Sequence, residues 1–148
     1  MPVGPDLVVA YLSADYVVFG EPDLVLHIGE PSEELDALLA AEGAETAAYV
    51  TAANPHGRPA GRTENVLATT ALLEAQREAG YACFAGEGRD PQGEWPAEPS
   101  VLVVGISRAE AEVLGRSYEQ NAIVFVERSR APELVLLDGA PGATQTAP

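Results

Sequence analysis

Lysine is absent from this chain; all eight basic residues are arginine. That absence removes a phosphate-loop lysine, a Schiff-base lysine and a kinase-type lysine in one step. Cysteine is nearly absent as well. Cys83 alone cannot close an internal disulfide, and no Cys-x-x-Cys pair offers zinc or redox chemistry. His27 and His56 stand far apart without ligand-like spacing. The sequence therefore implies no metal and no cofactor. No apolar run approaches the roughly 18 residues of a membrane span. The opening Met1-Pro2-Val3-Gly4-Pro5 lacks the basic flank of a signal peptide. A cytoplasmic location is the resulting expectation.

Positive charge is scarce: 23 acidic residues face 8 basic ones, a net charge of −15. Such a chain repels phosphate backbones and anionic lipid, so neither nucleic acid nor membrane is expected as a partner. The acids read either as a solubilising surface or as a face directed at a basic protein. The 47% hydrophobic and 21% charged content is that of an ordinary globular protein. The length suits one domain, expected over residues 1–137. Residues 138–148 carry no hydrophobic period and are expected to be a disordered tail.

The pattern predicts an α+β fold: a mixed sheet of about six strands with three main helices, two of them in strand–helix–strand crossovers. A short helix is expected near Asp6 to Leu12. A hairpin follows at Tyr16 to Phe19 and Leu24 to Ile28, with a turn at Gly20-Glu21-Pro22-Asp23. Ser32 caps a helix whose Leu35, Leu38 and Leu39 make one face. Residues 46–53 read as a buried central strand that stops at Asn54-Pro55, because proline cannot donate to a ladder. A helix over about 63–79 shows an alanine stripe (Ala68, Ala71, Ala75, Ala79) with Leu72, expected to face the sheet. Tyr81 to Ala85 is the next strand, and residues 86–99 read as a long loop. Ser100 to Ile106 is an apolar strand, Ser107-Arg108-Ala109-Glu110 a capping box, and Ala122 to Val126 a further strand. Leu134 to Leu137 suits an edge strand.

Ligands in crossover units gather beyond the carboxyl end of the first strand, here Asn54. The loop after it offers Gly57, Arg58, Gly61 and Arg62 ahead of a helix N-terminus, ingredients that suit an anion or a plain surface turn. Gly-x-x-x-Gly-Arg-Thr matches no established phosphate motif. Asn65, at the border of the alanine stripe, could turn towards Asn54 or bond locally. The 86–99 loop carries Arg89, Asp90, Trp95 and Glu98 as a lid or a pocket wall; Gly86-x-Gly88 precedes no helix, which excludes a dinucleotide turn. In Gln120-Asn121, the asparagine reads equally as a left-handed helix cap or as a ligand-facing amide. His27 reads as structural, Cys83 as an inert core thiol. His56 follows the Asn-Pro corner and is the better acid/base candidate, though no matched nucleophile accompanies it.

Taken in order, these residues resemble an uncharacterised bacterial family, the domain of unknown function numbered 3293. The resemblance runs from Leu7 to about Leu137. It rests on Thr51-Ala52-Ala53-Asn54-Pro55, Glu64-Asn65, Gly88-Arg89-Asp90-Pro91, Trp95, Glu98, Ser100 and Gln120-Asn121-Ala122-Ile123-Val124. The family often carries tryptophan where this chain has Ala53 and a second acid where it has Pro99. This chain therefore has neither an aromatic at 53 nor a carboxylate pair at 98–99. The family brings no assigned activity; the resemblance implies only that these polar positions form a set.

The reading is thus a domain that binds a polar or anionic small molecule in a pocket at the end of the 46–53 strand. Its expected lining is Asn54, Arg62, Asn65, Arg89, Trp95, Glu98, Gln120 and Asn121. The alternative is a non-catalytic acidic domain that engages a basic protein. Catalysis is left open; in an enzyme, Glu98 or His56 would move protons and Arg62 or Arg89 would clamp an anion.

Overall fold

A computed structural model describes residues 5–137, apart from the His56 side chain. The expected 138–148 tail and the proposed acid/base role of the His56 side chain lie outside the described residues. Those residues form an α+β fold of four α-helices and seven strands. In chain order these are α1 (Pro5–Ser13), β1 (Asp15–Val18), β2 (Leu24–Leu26), α2 (Glu33–Ala41), β3 (Thr46–Val50), α3 (Arg62–Glu78), β4 (Ala82–Arg89), β5 (Glu98–Val104), α4 (Arg108–Ser117), β6 (Ala122–Glu127) and β7 (Glu133–Leu136).

One sheet holds all seven strands in the order β2-β1-β4-β5-β3-β6-β7. Both crossovers are present and they interleave. β3 and β4, joined by α3, run parallel with β5 between them; β5 and β6, joined by α4, run parallel with β3 between them. The sheet expected to be mixed therefore has only antiparallel ladders, because each parallel pair is split by an inserted strand. This alternation has a geometric consequence. The carboxyl ends of β3 and β4 and the amino ends of β1, β5 and β6 all meet at one end of the sheet.

Side chains alternate across the strands, so each strand feeds two cores. On one face Ala48, Val50, Val101, Val103 and Phe125 pack with Leu72 of α3 and Ala111 of α4. On the other, Tyr16, Tyr49, Leu102, Val104, Val124 and Val126 pack with Leu35 and Leu39 of α2. Ser32 caps α2 by accepting from the Leu35 amide at 3.1 Å, and Ser107 caps α4 by accepting from the Glu110 amide at 3.2 Å. No residue of α1 is buried.

Two expectations change. The stripe of α3 faces the sheet only in part: Leu72 is buried and Ala68 packs against the core, but Ala71, Ala75 and Ala79 are exposed, and the other buried residues are Asn65 and Thr69. Polar residues take that face because the strand ends beneath it present backbone groups that need partners. The 86–99 loop is also shorter than expected, since β4 runs on to Arg89 and β5 starts at Glu98. Gly86 and Gly88 look like loop residues but are strand residues, paired with Val18 and Tyr16 of β1 as well as with β5. Gly86 is required there: a Cβ would sit 1.9 Å from the Val17 carbonyl oxygen. At Gly88 a Cβ would meet nothing within 4 Å.

Gly86→Ala should therefore destabilise the fold by about 3 kcal/mol or more through overpacking, while Gly88→Ala stays within roughly 1 kcal/mol of wild type. Urea unfolding of the two variants checks this. Equal midpoints would show that β4 does not lie against β1 as described.

Candidate functional site

The gathered strand ends surround a cavity of about 450 Å³. Its walls come from α1 (Leu7, Ala10, Tyr11), β1 (Tyr16), the 51–62 segment, the 95–97 connection, the starts of β5 and β6, and Asn65 of α3. Strand parity decides who faces in. On β5 the even positions Glu98 and Ser100 share a side with Leu102, whereas Val101 and Val103 face α3.

The corner at Asn54 organises the polar part. Asn54 is left-handed (φ 46°, ψ 61°), a conformation that asparagine tolerates better than other non-glycine residues. Its side-chain oxygen accepts from the Ala60 amide and from Asn65 Nδ2, both at 2.9 Å. Its Nδ2 donates to Glu98 Oε2. Its own backbone amide donates to Asn65 Oδ1 at 3.0 Å. Just upstream, Thr51 Oγ1 donates to the Pro99 carbonyl at 2.5 Å and accepts from the Ala53 amide at 2.9 Å. Gln120 donates through Nε2 to the Ala53 carbonyl at 3.0 Å and to the Tyr118 carbonyl at 3.1 Å. Three chain segments are thereby tied to consecutive residues 53 and 54.

Aromatic groups supply the other walls. Tyr16 and Tyr49 meet edge to face at 5.3 Å. Tyr49 donates to the Val17 carbonyl at 2.9 Å, and Tyr16 donates to the Tyr11 carbonyl. Burial pushes all three phenols up. At Tyr11 a hydrogen bond with the Asn121 side chain pulls part of that shift back. The hydrogen bond from Tyr16 to the Tyr11 carbonyl joins the otherwise loosely packed α1 to β1. Burial also raises Glu98 above the ordinary carboxylate range, with the Asn54 hydrogen bond opposing the shift.

Of the eight residues selected from the sequence, Asn54, Arg62, Asn65, Trp95, Glu98, Gln120 and Asn121 line this cavity. Arg89 does not. It follows Gly88 on β4, and one step along a strand reverses the side: Gly88 faces the cavity, while Arg89 is ion-paired with Glu87 on the other side. Asn121 is not the left-handed residue after α4; Glu119 is, at φ 57°. Sequence reading missed Leu7, Tyr11 and Tyr16, which lie more than 35 positions before Asn54, and Tyr49, which precedes it by five; the alternation of Tyr16 with Val17 was the one available signal. His27 Nε2 lies at hydrogen-bond distance, 2.7 Å, from Asp15 Oδ1, neither of them lining the cavity, and Cys83 is a buried free thiol raised by desolvation. Among the described residues no group of three or more His, Cys, Asp or Glu could hold a metal ion, and no helix is long and apolar enough to cross a membrane.

A family model described as a protein of unknown function, DUF3293, matches residues 50–123, half of the chain. The chain belongs to that family. The DUF3293 match spans Asn54, Arg62, Asn65, Trp95, Glu98, Gln120 and Asn121, whereas the α1 and β1 walls precede it. No curated protein and no solved structure matches the chain.

Asn54→Gly keeps the left-handed backbone and removes the side-chain bonds, whereas Asn54→Ala removes the bonds and strains the backbone. Asn54→Gly should lose about 1–3 kcal/mol through unpaired buried groups. Asn54→Ala should lose about 1–2 kcal/mol more; chemical denaturation measures both, and an alanine variant as stable as the glycine one would refute the strain.

Between the ordinary carboxylate pKa and the raised one, folded Glu98 holds a proton that the unfolded chain has released. Stability is therefore lost as pH rises through that window. The phenols described on the walls, those of Tyr11, Tyr16 and Tyr49, do not change charge there, since burial raises all three. The melting temperature of Glu98→Gln should accordingly rise relative to wild type between mildly acidic and neutral pH. Parallel melting curves at both pH values would contradict it.

Proposed function

We propose that this chain is a cytoplasmic domain that binds a small polar molecule in the cavity beyond β3. The observation that supports this most is the composition of one enclosed space. Parts of the chain far apart in sequence bring an amide-rich, carboxyl-bearing wall and an aromatic wall to a volume of about 450 Å³. Ligand sites have this character: mostly apolar walls, a few convergent polar groups, and a volume of roughly 300–1,000 Å³. The amides are held in place by backbone partners, which is the preorganisation that recognition requires.

The anionic half of the original expectation loses support. With Arg89 paired to Glu87 outside the cavity, Arg62 is the arginine on the wall, and it is exposed at the rim. The half-buried carboxyl of Glu98 also lines the cavity. An uncharged or donor-bearing polar group suits that interior better than a phosphate or carboxylate. Tyr11 of α1 and Asn121, just before β6, both line the cavity. The proposal concerns binding and assigns no bond-making step. The competing reading, an acidic surface for a basic protein, draws on the net charge of −15.

Trp95 is the sole tryptophan and lines the cavity, so its emission reports occupancy. A panel of amides, nucleosides, amines, sugars and carboxylates should contain compounds that change Trp95 emission and raise the melting temperature. Ala10→Phe, which fills the space from α1, should abolish both effects while the fold persists by circular dichroism. A panel that leaves emission and melting unchanged throughout, while a basic protein binds Ala10→Phe and wild type alike, would replace the pocket reading with the interaction one.

A further inference from the structure

The donors and acceptors left over around the cavity narrow the ligand class. Gln120 Nε2 lies at hydrogen-bond distance from two carbonyl oxygens, those of Ala53 and Tyr118. A flipped amide would place oxygen against oxygen, so the orientation is chemically determined. Both N–H groups are engaged, and no hydrogen bond from the described residues reaches Gln120 Oε1. The same reasoning orients Asn54. Its oxygen receives the Ala60 amide and Asn65 Nδ2, which leaves Nδ2 for Glu98 Oε2. Asn65 in turn donates to Asn54 Oδ1 and, more weakly at 3.5 Å, to the Ala60 carbonyl. Glu98 Oε1 likewise receives no hydrogen bond from the described residues. Asn54, Asn65 and Gln120 thus have their side-chain donors engaged, while Gln120 and Glu98 each retain an acceptor oxygen, one of them carboxyl.

Among the described residues, cations of the chain's own are scarce here. The sequence has no lysine, and Arg62 on the wall is exposed. The opposite walls carry the aromatic faces of Trp95 and Tyr11 beside Leu7 and Ala10. A carboxyl with a free oxygen, a neighbouring amide oxygen and aromatic walls complement an ammonium or amidinium group on an apolar body. The net charge of −15 raises the local concentration of such a cation and lowers that of an anion.

Building on the binding reading above, we propose that the cavity accepts a cationic amine with an apolar, preferably aromatic, body, its N–H donors bonded to Glu98 Oε1 and Gln120 Oε1. Glu98 is the charged determinant of the site. Asn54 is a positioning residue that holds it, and Trp95 is the wall for the ligand's body. An ammonium beside Glu98 also offsets the burial that raises its pKa.

Three probes of matched shape test the class on the full chain: phenethylamine, 2-phenylethanol and 3-phenylpropanoate, titrated by Trp95 emission and calorimetry. Phenethylamine should bind wild type about tenfold or more tightly than the alcohol, the weight of a charge-assisted hydrogen bond. The anion should bind weakest. Glu98→Gln keeps an acceptor for Asn54 and should bring amine and alcohol to similar affinity, with circular dichroism confirming that it folds. The wild-type ratio decides the question even if that variant does not fold. Alcohol or carboxylate binding as well as the amine overturns the amine class and leaves the pocket reading standing. No binding of phenethylamine overturns the amine class too, and the broader panel with Ala10→Phe then decides the pocket reading separately.

Discussion

A left-handed asparagine four residues beyond the last residue of β3 is the constraint on which this architecture turns. β3 is hydrogen-bonded on both sides, to β5 and to β6, and must leave the sheet abruptly to enter the crossover to α3. Asn54 makes that exit. Its side chain ties the start of β5 through Glu98, the onset of the α3 segment through Ala60, and α3 itself through Asn65. A short, branched amide with one acceptor and one donor end serves all three at once. An aliphatic side chain could take the corner's volume but not its bonds.

The split crossovers explain why polar groups from distant parts of the chain share one space. In an interleaved antiparallel sheet, strand starts and strand ends alternate along the same edge. Residues 54, 98 and 121 are therefore neighbours because of strand order, although more than 40 positions separate the first two and about 20 the second two. Side-chain parity then sorts which neighbours take part. Glu98 and Ser100 turn inward, and Arg89 turns outward one residue after Gly88. The sheet supplies rigid placement, while α1, with no buried residue of its own, adds a covering wall held through Tyr11.

Much of this was legible from residue patterns. Caps at Ser32 and Ser107 and the apolar runs of β3, β5 and β6 are local signals, and each element stands within a few residues of where those signals put it; β3 leaves the ladder at Val50, ahead of the expected stop at Asn54-Pro55. The polar set was legible for the same reason: unusual amides and one tryptophan interrupt otherwise apolar or turn-like stretches. Two things misled. Glycines 86 and 88 read as loop because composition cannot reveal that a neighbouring strand passes within touching distance. Alanines on α3 read as the packing face because a helical wheel weighs apolar area and not the hydrogen-bonding demand of the strand ends beneath.

The sequence by itself determined the elements, the class of fold and the absence of lysine chemistry, since helix caps, hydrophobic period and residue inventory are local properties of a chain. Only the tertiary structure decided the order of strands, the exclusion of Arg89, the inclusion of Tyr11 and Tyr16, and which amide atoms remain available. Those depend on which strands lie side by side and on which way each residue faces, and a shift of one position along a strand reverses that face.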